Sequence, residues 1–549
     1  MPVINFRYSD LCSLLGQMVP HDVLIERIPL IGADMHQTEG ECEEMSVEFF
    51  PDRPDLFSVE GLARALRAFL GIEPGLKKYC VNDSDYAAAV DPSVLGVRPF
   101  FACAVVKDLE VSDDLIRSVM ELQEKLHMTI GRKRSKLAIG IHDLDKVSPP
   151  FRYTAVRPDE ISFVPLNHTE RMDLKEILIS HDKGKEYAHL LDGKEKYPII
   201  FDRNGNVLSF PPIINGALTA VTAKTRNVFI DVTGNDRKAV KGALDIVTTA
   251  LAERGGKIFK VNIEGYGHSP DLTETLSSLS MRKCNRFLGI SLDKKGIEES
   301  VRKMGMNVSV SGDDVTVSVP STRLDIMHKV DIFEDVAIGY GFERFGGPYS
   351  SIQTMGKSGK STSISDKIRD IMIGLGFTEV TTLTLSNQED EFEISGLPAK
   401  TSTCITNPIT EDHTCLRSYL MPSLMKILRH NRHRDLPQKI FEVGFVSEEH
   451  LTVPHLCGMM TASKTPFTEI KSITDAVARE MNIEHGVSVC GYRTFVDGRG
   501  AFISLGNRNI GFFGEVSPEV VTDYGITHPV AMFEIDLSEI IGEKTGSLF

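Results

Sequence analysis

Two groups of residues have types and spacing that could do chemistry. The first is acidic: Asp325, Asp331, Glu334 and Asp335, within RLDIMHKVDIFEDVAIGYGF. Positions i, i+3 and i+4 share one face of a helix, so Asp331, Glu334 and Asp335 are expected together, with Asp325 folding back from the preceding loop. Four hard oxygen donors without His or Cys suit Mg²⁺, which takes about six oxygens in a near-octahedral shell. A plainer reading stands beside it: Asp331 caps the helix, and Glu334 and Asp335 are favoured by the positive end of its dipole.

The second group lies in SFPPIINGALTAVTAKTRNVFIDVTGND and comprises Asn215-Gly216 and, further on, Asp231, Thr233, Gly234 and Asn235. Paired prolines enter one strand and Asn-Gly ends it, while a later strand runs into Asp231 and Thr233. Amides, hydroxyls and one carboxylate near strand ends could orient a water for attack on an ester and hydrogen-bond a polar ligand without a metal. The alternative is a pair of β-turns tied by Asx and Ser/Thr side chains. His142, Asp143 and Asp145 in AIGIHDLDK offer a weak acid/base or metal signal and are read as turn formers. No G-x-x-x-x-G-K-[ST] loop and no G-x-S-x-G elbow occurs, so nucleotide hydrolysis and a standard α/β-hydrolase site have no support.

The elements that must position these groups read as several domains, since 549 residues exceed what one core serves. Residues 1–82 read as a small α+β domain: VLIERIPLIGADM and MSVEFF are strand-like, and PDRPDLFSVEGLARALRAFLGI carries two turn-forming prolines before an apolar stripe at helical spacing. Residues 83–269 alternate β-branched runs with amphipathic helices and read as α/β. Residues 270–350 form a further small α+β unit around the acidic helix. MGKSGKSTS then reads as a linker, and 351–549 as another α+β domain.

Bulk properties limit the function classes. No apolar run nears the roughly 18–20 residues that span a bilayer, and the N-terminus lacks a signal layout, so the chain reads as cytoplasmic. Nine scattered cysteines without a C-x-x-C pair suggest reduced thiols rather than zinc or a disulfide framework. A net charge of -15 means that any nucleic-acid contact is local. Two stretches qualify: Arg132-Lys133-Arg134 with Lys136, and the Lys426, Arg429, His430, Arg432, His433, Arg434, Lys439 series; each also reads as a solvated face.

In this order, PDRPDLFSVEGLAR, AIGIHDLDK, PPIING…TRNVFIDVTGND, PSTRLDIMHKVDIFEDVAIGYGF and LRSYLMPSLMKILRHNRHRDLPQKIFEVG resemble the β subunit of archaeal and eukaryal phenylalanyl-tRNA synthetases along nearly the whole chain. The resemblance implies an α+β multidomain protein. Its parts would be an N-terminal domain, an editing domain at 83–269, a small metal-helix domain, and a class II synthetase-like antiparallel-sheet domain lacking catalytic motifs. It implies a separate α subunit in an (αβ)₂ heterotetramer, tRNA(Phe) as partner, ATP bound by α, and a Mg²⁺ shared with α through Asp325, Asp331, Glu334 and Asp335. It also implies hydrolysis of mischarged Tyr-tRNA(Phe) at a site for which Asn215, Asp231, Thr233 and Ser209 are the candidates. A working class II site needs an arginine on its second motif strand to stabilise a reacting triphosphate, and here Lys439-Ile440-Phe441-Glu442 has phenylalanine instead. A free-standing aminoacyl-tRNA deacylase and an RNA-binding scaffold are the rival readings.

Overall fold

A computed structural model of the chain describes residues 2–35, 43–347 and 354–542. Two compact units emerge, Met1–Pro348 and Tyr349–Phe549.

The first unit opens with a three-stranded antiparallel sheet in the order Val3–Arg7, Glu44–Phe49, Ala33–Met35. The strand expected over VLIERIPLIGADM is mostly helical: a helix at His21–Arg27, a 3-10 turn at Pro29–Ile31, and only Ala33–Met35 extended. Leu24, Ile28 and Ile31 are buried at spacings of four and three, the period of a helix rather than a strand. The helix Val59–Phe69 starts where expected, with the Ser58 hydroxyl accepting from the Gly61 amide at 3.2 Å.

Next comes a five-stranded sheet in the order Val81–Asn82, Lys257–Phe259, Phe100–Lys107, Val228–Gly234, Leu137–Asp143. Its central strand pairs antiparallel on both sides, so this part of the α/β expectation becomes a mixed sheet with few parallel pairings. Val228, Ile230 and Val232 face the helices Asp113–Met128 and Arg237–Glu253, in a core that continues into Leu62 and Leu66 of the N-terminal helix. Packing therefore does not break at residue 82. Phe229, on the opposite side, packs with Phe151, Tyr153 and Leu208 of a seven-stranded mixed sheet. Strand alternation puts Asp231 and Thr233 on that same inner side, where buried polar groups must find partners.

Residues from 275 on form a three-stranded sheet, in the order Thr275–Ser280, Asp314–Val319, Asn307–Ser311, packed with the helices Met281–Leu288, Lys294–Lys303 and Lys329–Tyr340.

The second unit is a seven-stranded sheet ordered Thr378–Glu379, Gln438–Glu448, Leu451–Thr461, Val530–Asp536, Arg508–Val516, Phe495–Leu505, Gly486–Val489, antiparallel except at the first pair. The helix Met421–His430 covers one face, and Lys360–Gly374 and Phe467–Glu480 the other. The segment expected as a linker already contains the start of a helix, since Lys360–Gly374 begins inside MGKSGKSTS with Gly359 as its cap. Phe441 is fully buried in the core. Its neighbour Glu442 accepts from Arg417 Nη2 at 2.8 Å and from the Thr382 hydroxyl at 2.6 Å. Glu391 accepts the amides of Ser418 and Tyr419 (2.8 and 3.1 Å), and Glu534 those of Leu420 and Met421 (2.9 and 3.0 Å). Among the described residues no helix is long and apolar enough to cross a membrane, and the eight described cysteines are unpaired.

Candidate functional site

A cavity of about 500 Å³ in the first unit has a wall that includes Ser209, Asn215, Asp231, His127 and Arg134, with an apolar side from the helix Asp113–Met128. Three of the four residues expected here line it. Ser209 and Asn215 are cross-strand partners, and the Ser209 hydroxyl donates to Asn215 Oδ1 at 3.2 Å. Thr233 differs: it is fully buried and does not line the cavity. Arg98 stands over it instead, with Nε donating to its hydroxyl and Nη2 to its carbonyl, both at 3.0 Å.

Asp231 is held by His142, whose Nε2–H donates to Oδ1 at 2.7 Å. The far nitrogen of the ring, Nδ1, meets the Thr219 hydroxyl at 2.8 Å. Both acid and imidazole are buried, and Asp231 Oδ2 has no protein partner among the described residues. Sheet register explains the contact: Asp231 lies opposite Gly140 and His142 opposite Phe229, so the pair meets diagonally across the strands. A Cβ on residue 140 would come within 2.3 Å of Asp231 Oδ1 and 2.7 Å of His142 Nε2, and glycine removes that obstruction. AIGIHDLDK therefore divides: Asp143 caps a 3-10 turn, Asp145 accepts from Asn227, and His142 turns inward. The alternation Ala138, Gly140, His142 on one strand face is the sequence signal that could have revealed it.

Sequence reasoning also missed the charged corner beside Asp231. Arg134 is buried: its Nη1 donates to the Ile213 carbonyl at 2.9 Å, its Nη2 to Glu124 at 2.7 Å, and its guanidinium lies 4.5 Å from the Tyr187 ring centre. His127 Nε2 accepts the Ile139 amide at 2.8 Å, a bond that requires an unprotonated nitrogen; burial pushes this ring down to about 4. Glu124, bonded to His127 and beside Arg134, is held down at about 2. Burial also pushes Arg98 down to about 10, which leaves it charged at neutral pH.

The basic stretch that delivers Arg134 has unusual backbone geometry. Arg132, Lys133 and Arg134 have φ of 45°, 52° and 64°, three successive non-glycine residues in the left-handed region. Such a conformation costs roughly 1–2 kcal/mol per residue. Several local bonds offset it: Arg134 N–H to the His127 carbonyl, Lys136 N–H to that of Gly131, and the Ser135 hydroxyl to that of Arg132. Arg132 and Lys133 are exposed while Arg134 points inward.

The acidic group corrects the expectation of four gathered carboxylates. Asp325 and Asp335 are bridged by one guanidinium, with Arg323 Nη2 at 2.7 Å from Asp325 and 2.8 Å from Asp335. Asp331 accepts the amides of Met327 and His328 at 2.8 and 2.7 Å, a helix-capping role. Glu334 is exposed, and Asp335, one residue on, is buried, its carboxyl pushed up by that burial against the pull of Arg323. Successive helix positions are turned by about 100°, which separates these two. No set of three or more His, Cys, Asp or Glu side chains among the described residues is arranged to hold a metal ion. As arranged in this chain, Asp325 and Asp335 are held by Arg323, and Asp331 by backbone amides.

Residues 111–254 match the B3/4 domain, 277–342 the tRNA synthetase B5 domain, and 349–537 the phenylalanyl tRNA synthetase beta chain CLM domain. The chain is 44% identical over 542 residues to the phenylalanine–tRNA ligase beta subunit of Methanothrix thermoacetophila, covering 98% of this chain and 100% of that one. It is 43% identical over 554 residues to that of Archaeoglobus fulgidus, covering 100% of both. An N-terminal fragment of the Pyrococcus horikoshii phenylalanyl-tRNA synthetase β subunit superposes with a TM-score of 0.60 at 39% identity, covering 62% of this chain and 100% of the fragment. The chain belongs to the family of phenylalanine–tRNA ligase β subunits.

Proposed function

We propose that this chain serves a phenylalanine–tRNA ligase as its β subunit: it supports charging of tRNA(Phe) by an α subunit, in an (αβ)₂ assembly, and hydrolyses mischarged Tyr-tRNA(Phe). Family membership implies that the complex uses ATP and Mg²⁺. ATP is assigned to α, because Phe441 here is core and Arg417 is bound to Glu442, so neither position offers a free cation to a reacting triphosphate. No role for Mg²⁺ is assigned to the four acidic residues.

The observation that carries the editing reading is the cavity beside the His142–Asp231 pair. A pocket selecting phenylalanine rejects tyrosine by only about a hundredfold, since the difference is one added hydroxyl. A second site must therefore reward that hydroxyl. Asp231 has one oxygen fixed by His142 and the other free of protein partners, so it can accept a phenol O–H. His142 positions the acid. Ser209 and Asn215 lie where polar groups can orient the ester or a water, and Thr233 acts indirectly by holding Arg98. Deacylation assays test the reading: purified complex should release tyrosine from Tyr-tRNA(Phe), and Asp231→Ala should let mischarged tRNA accumulate while Phe-tRNA synthesis continues. Equal clearance by variant and parent would remove Asp231 from the site.

A further inference from the structure

We infer that Arg132 and Lys133, exposed next in the chain to the cavity-lining Arg134, form a phosphate-binding clamp that grips the single-stranded 3′ end of the tRNA whose ester enters the editing cavity. This assignment rests on the editing reading above.

Backbone geometry is the first observation. Left-handed positions usually go to glycine or asparagine, yet this turn places Arg, Lys and Arg in succession. A sequence needing only the turn would be relieved by glycine, so the side chains are what the strained conformation displays. The second observation is position. Arg134 is locked against the Ile213 carbonyl, Glu124 and the Tyr187 ring, and it lines the cavity. Its two predecessors, within about 8 Å along the backbone, are exposed and have no carboxylate partner among the described residues.

Their neighbours are already engaged: Lys136 pairs with Asp236 at 3.1 Å, and Lys183 with Glu186 at 2.9 Å. Arg132 and Lys133 are thus two adjacent uncommitted cations, in a chain of net charge -15, beside a cavity whose substrate arrives on a polyanion. Long-range attraction by the whole protein is excluded by its sign, which leaves local contacts to capture the strand. Phosphate contact of this kind positions the substrate without reading its sequence.

The test uses the complex with its α subunit and Tyr-tRNA(Phe). Arg132→Gly/Lys133→Gly removes both charges and relieves the left-handed backbone, so Tm should stay level or rise. KM for deacylation should increase about tenfold with kcat within twofold of the parent. The slope of log KM against log salt should fall by about 1.4, two phosphates at about 0.7 each for a single strand. The charge-preserving Arg132→Lys/Lys133→Arg should retain parental KM and slope. If the parent clears Tyr-tRNA and the glycine variant matches its KM and salt slope, the clamp is overturned alone. A parent that clears none overturns the editing reading, and the clamp with it.

Discussion

His142 reaches diagonally across two paired strands to hold Asp231 at 2.7 Å, over the space left by Gly140. The carboxylate's orientation depends on an imidazole 89 residues away in the chain and on the absence of one methyl group.

Gly140→Ala should therefore act as a site mutation although it touches no substrate. The new Cβ would fall 2.3 Å from Asp231 Oδ1, so the pair must separate. We expect a loss of about 1–3 kcal/mol in stability and at least a tenfold fall in Tyr-tRNA deacylation, with Phe-tRNA synthesis retained. Parental deacylation in a folded Gly140→Ala chain would show that the pair is not needed.

His142→Asn should keep the fold and Phe-tRNA synthesis but lower deacylation roughly tenfold or more, because the shorter amide cannot span both Asp231 and Thr219. Side-by-side deacylation rates of the parent and His142→Asn complexes check this.

The acid limb of stability should follow His127. Its folded value of about 4 lies below the ordinary 6.5, so between these the unfolded chain binds a proton that the native ring refuses. The contribution is complete above pH 6.5 and is lost as pH falls towards 4, in all about 3 kcal/mol. Glu391 has the opposite sign: burial raises it from 4.5 to about 7, so its contribution is present below pH 4.5 and lost as pH rises through 7. Urea titrations from pH 4 to 8 should show His127→Asn flattening the acid limb of the first unit, and Glu391→Gln stabilising the second above pH 7. A Glu391→Gln chain no more stable than the parent at pH 8 would contradict the assignment.

Chelation should leave the thermal midpoint of the isolated chain unchanged within about 1 °C, because within this chain Arg323 pairs with Asp325 and Asp335, and backbone amides hold Asp331. Arg323→Met strands two carboxylates and should cost about 3–5 kcal/mol. Differential scanning calorimetry with and without EDTA distinguishes the two arrangements.

Much of this was legible in the sequence where local chemistry decides structure. Ser58 starts its helix, and Ser209, Asn215 and Asp231 converge on one cavity. What sequence hid was contact between distant segments. Arg98 covers Thr233 from 135 residues away, and nothing in VTGND announces it. The acidic helix misled because sharing a face is a matter of angle: Asp335 turns to the core and Glu334 to solvent, while Arg323, two residues before Asp325, occupies the space between two of the supposed ligands. VLIERI misled because β-branched residues outvoted the four-and-three spacing of Leu24, Ile28 and Ile31.

Glu391 and Glu534 carry a consequence for any attempt to evolve an ATP site into the second unit. Four successive amides, from Ser418 to Met421, are already saturated by the protein's own acids, and the neighbouring Arg417 is committed to Glu442. An incoming triphosphate would meet amides already occupied and an arginine already committed, where an enzyme offers free donors. Restoring a single arginine at Phe441 could not awaken this sheet; the resident carboxylates would have to leave first.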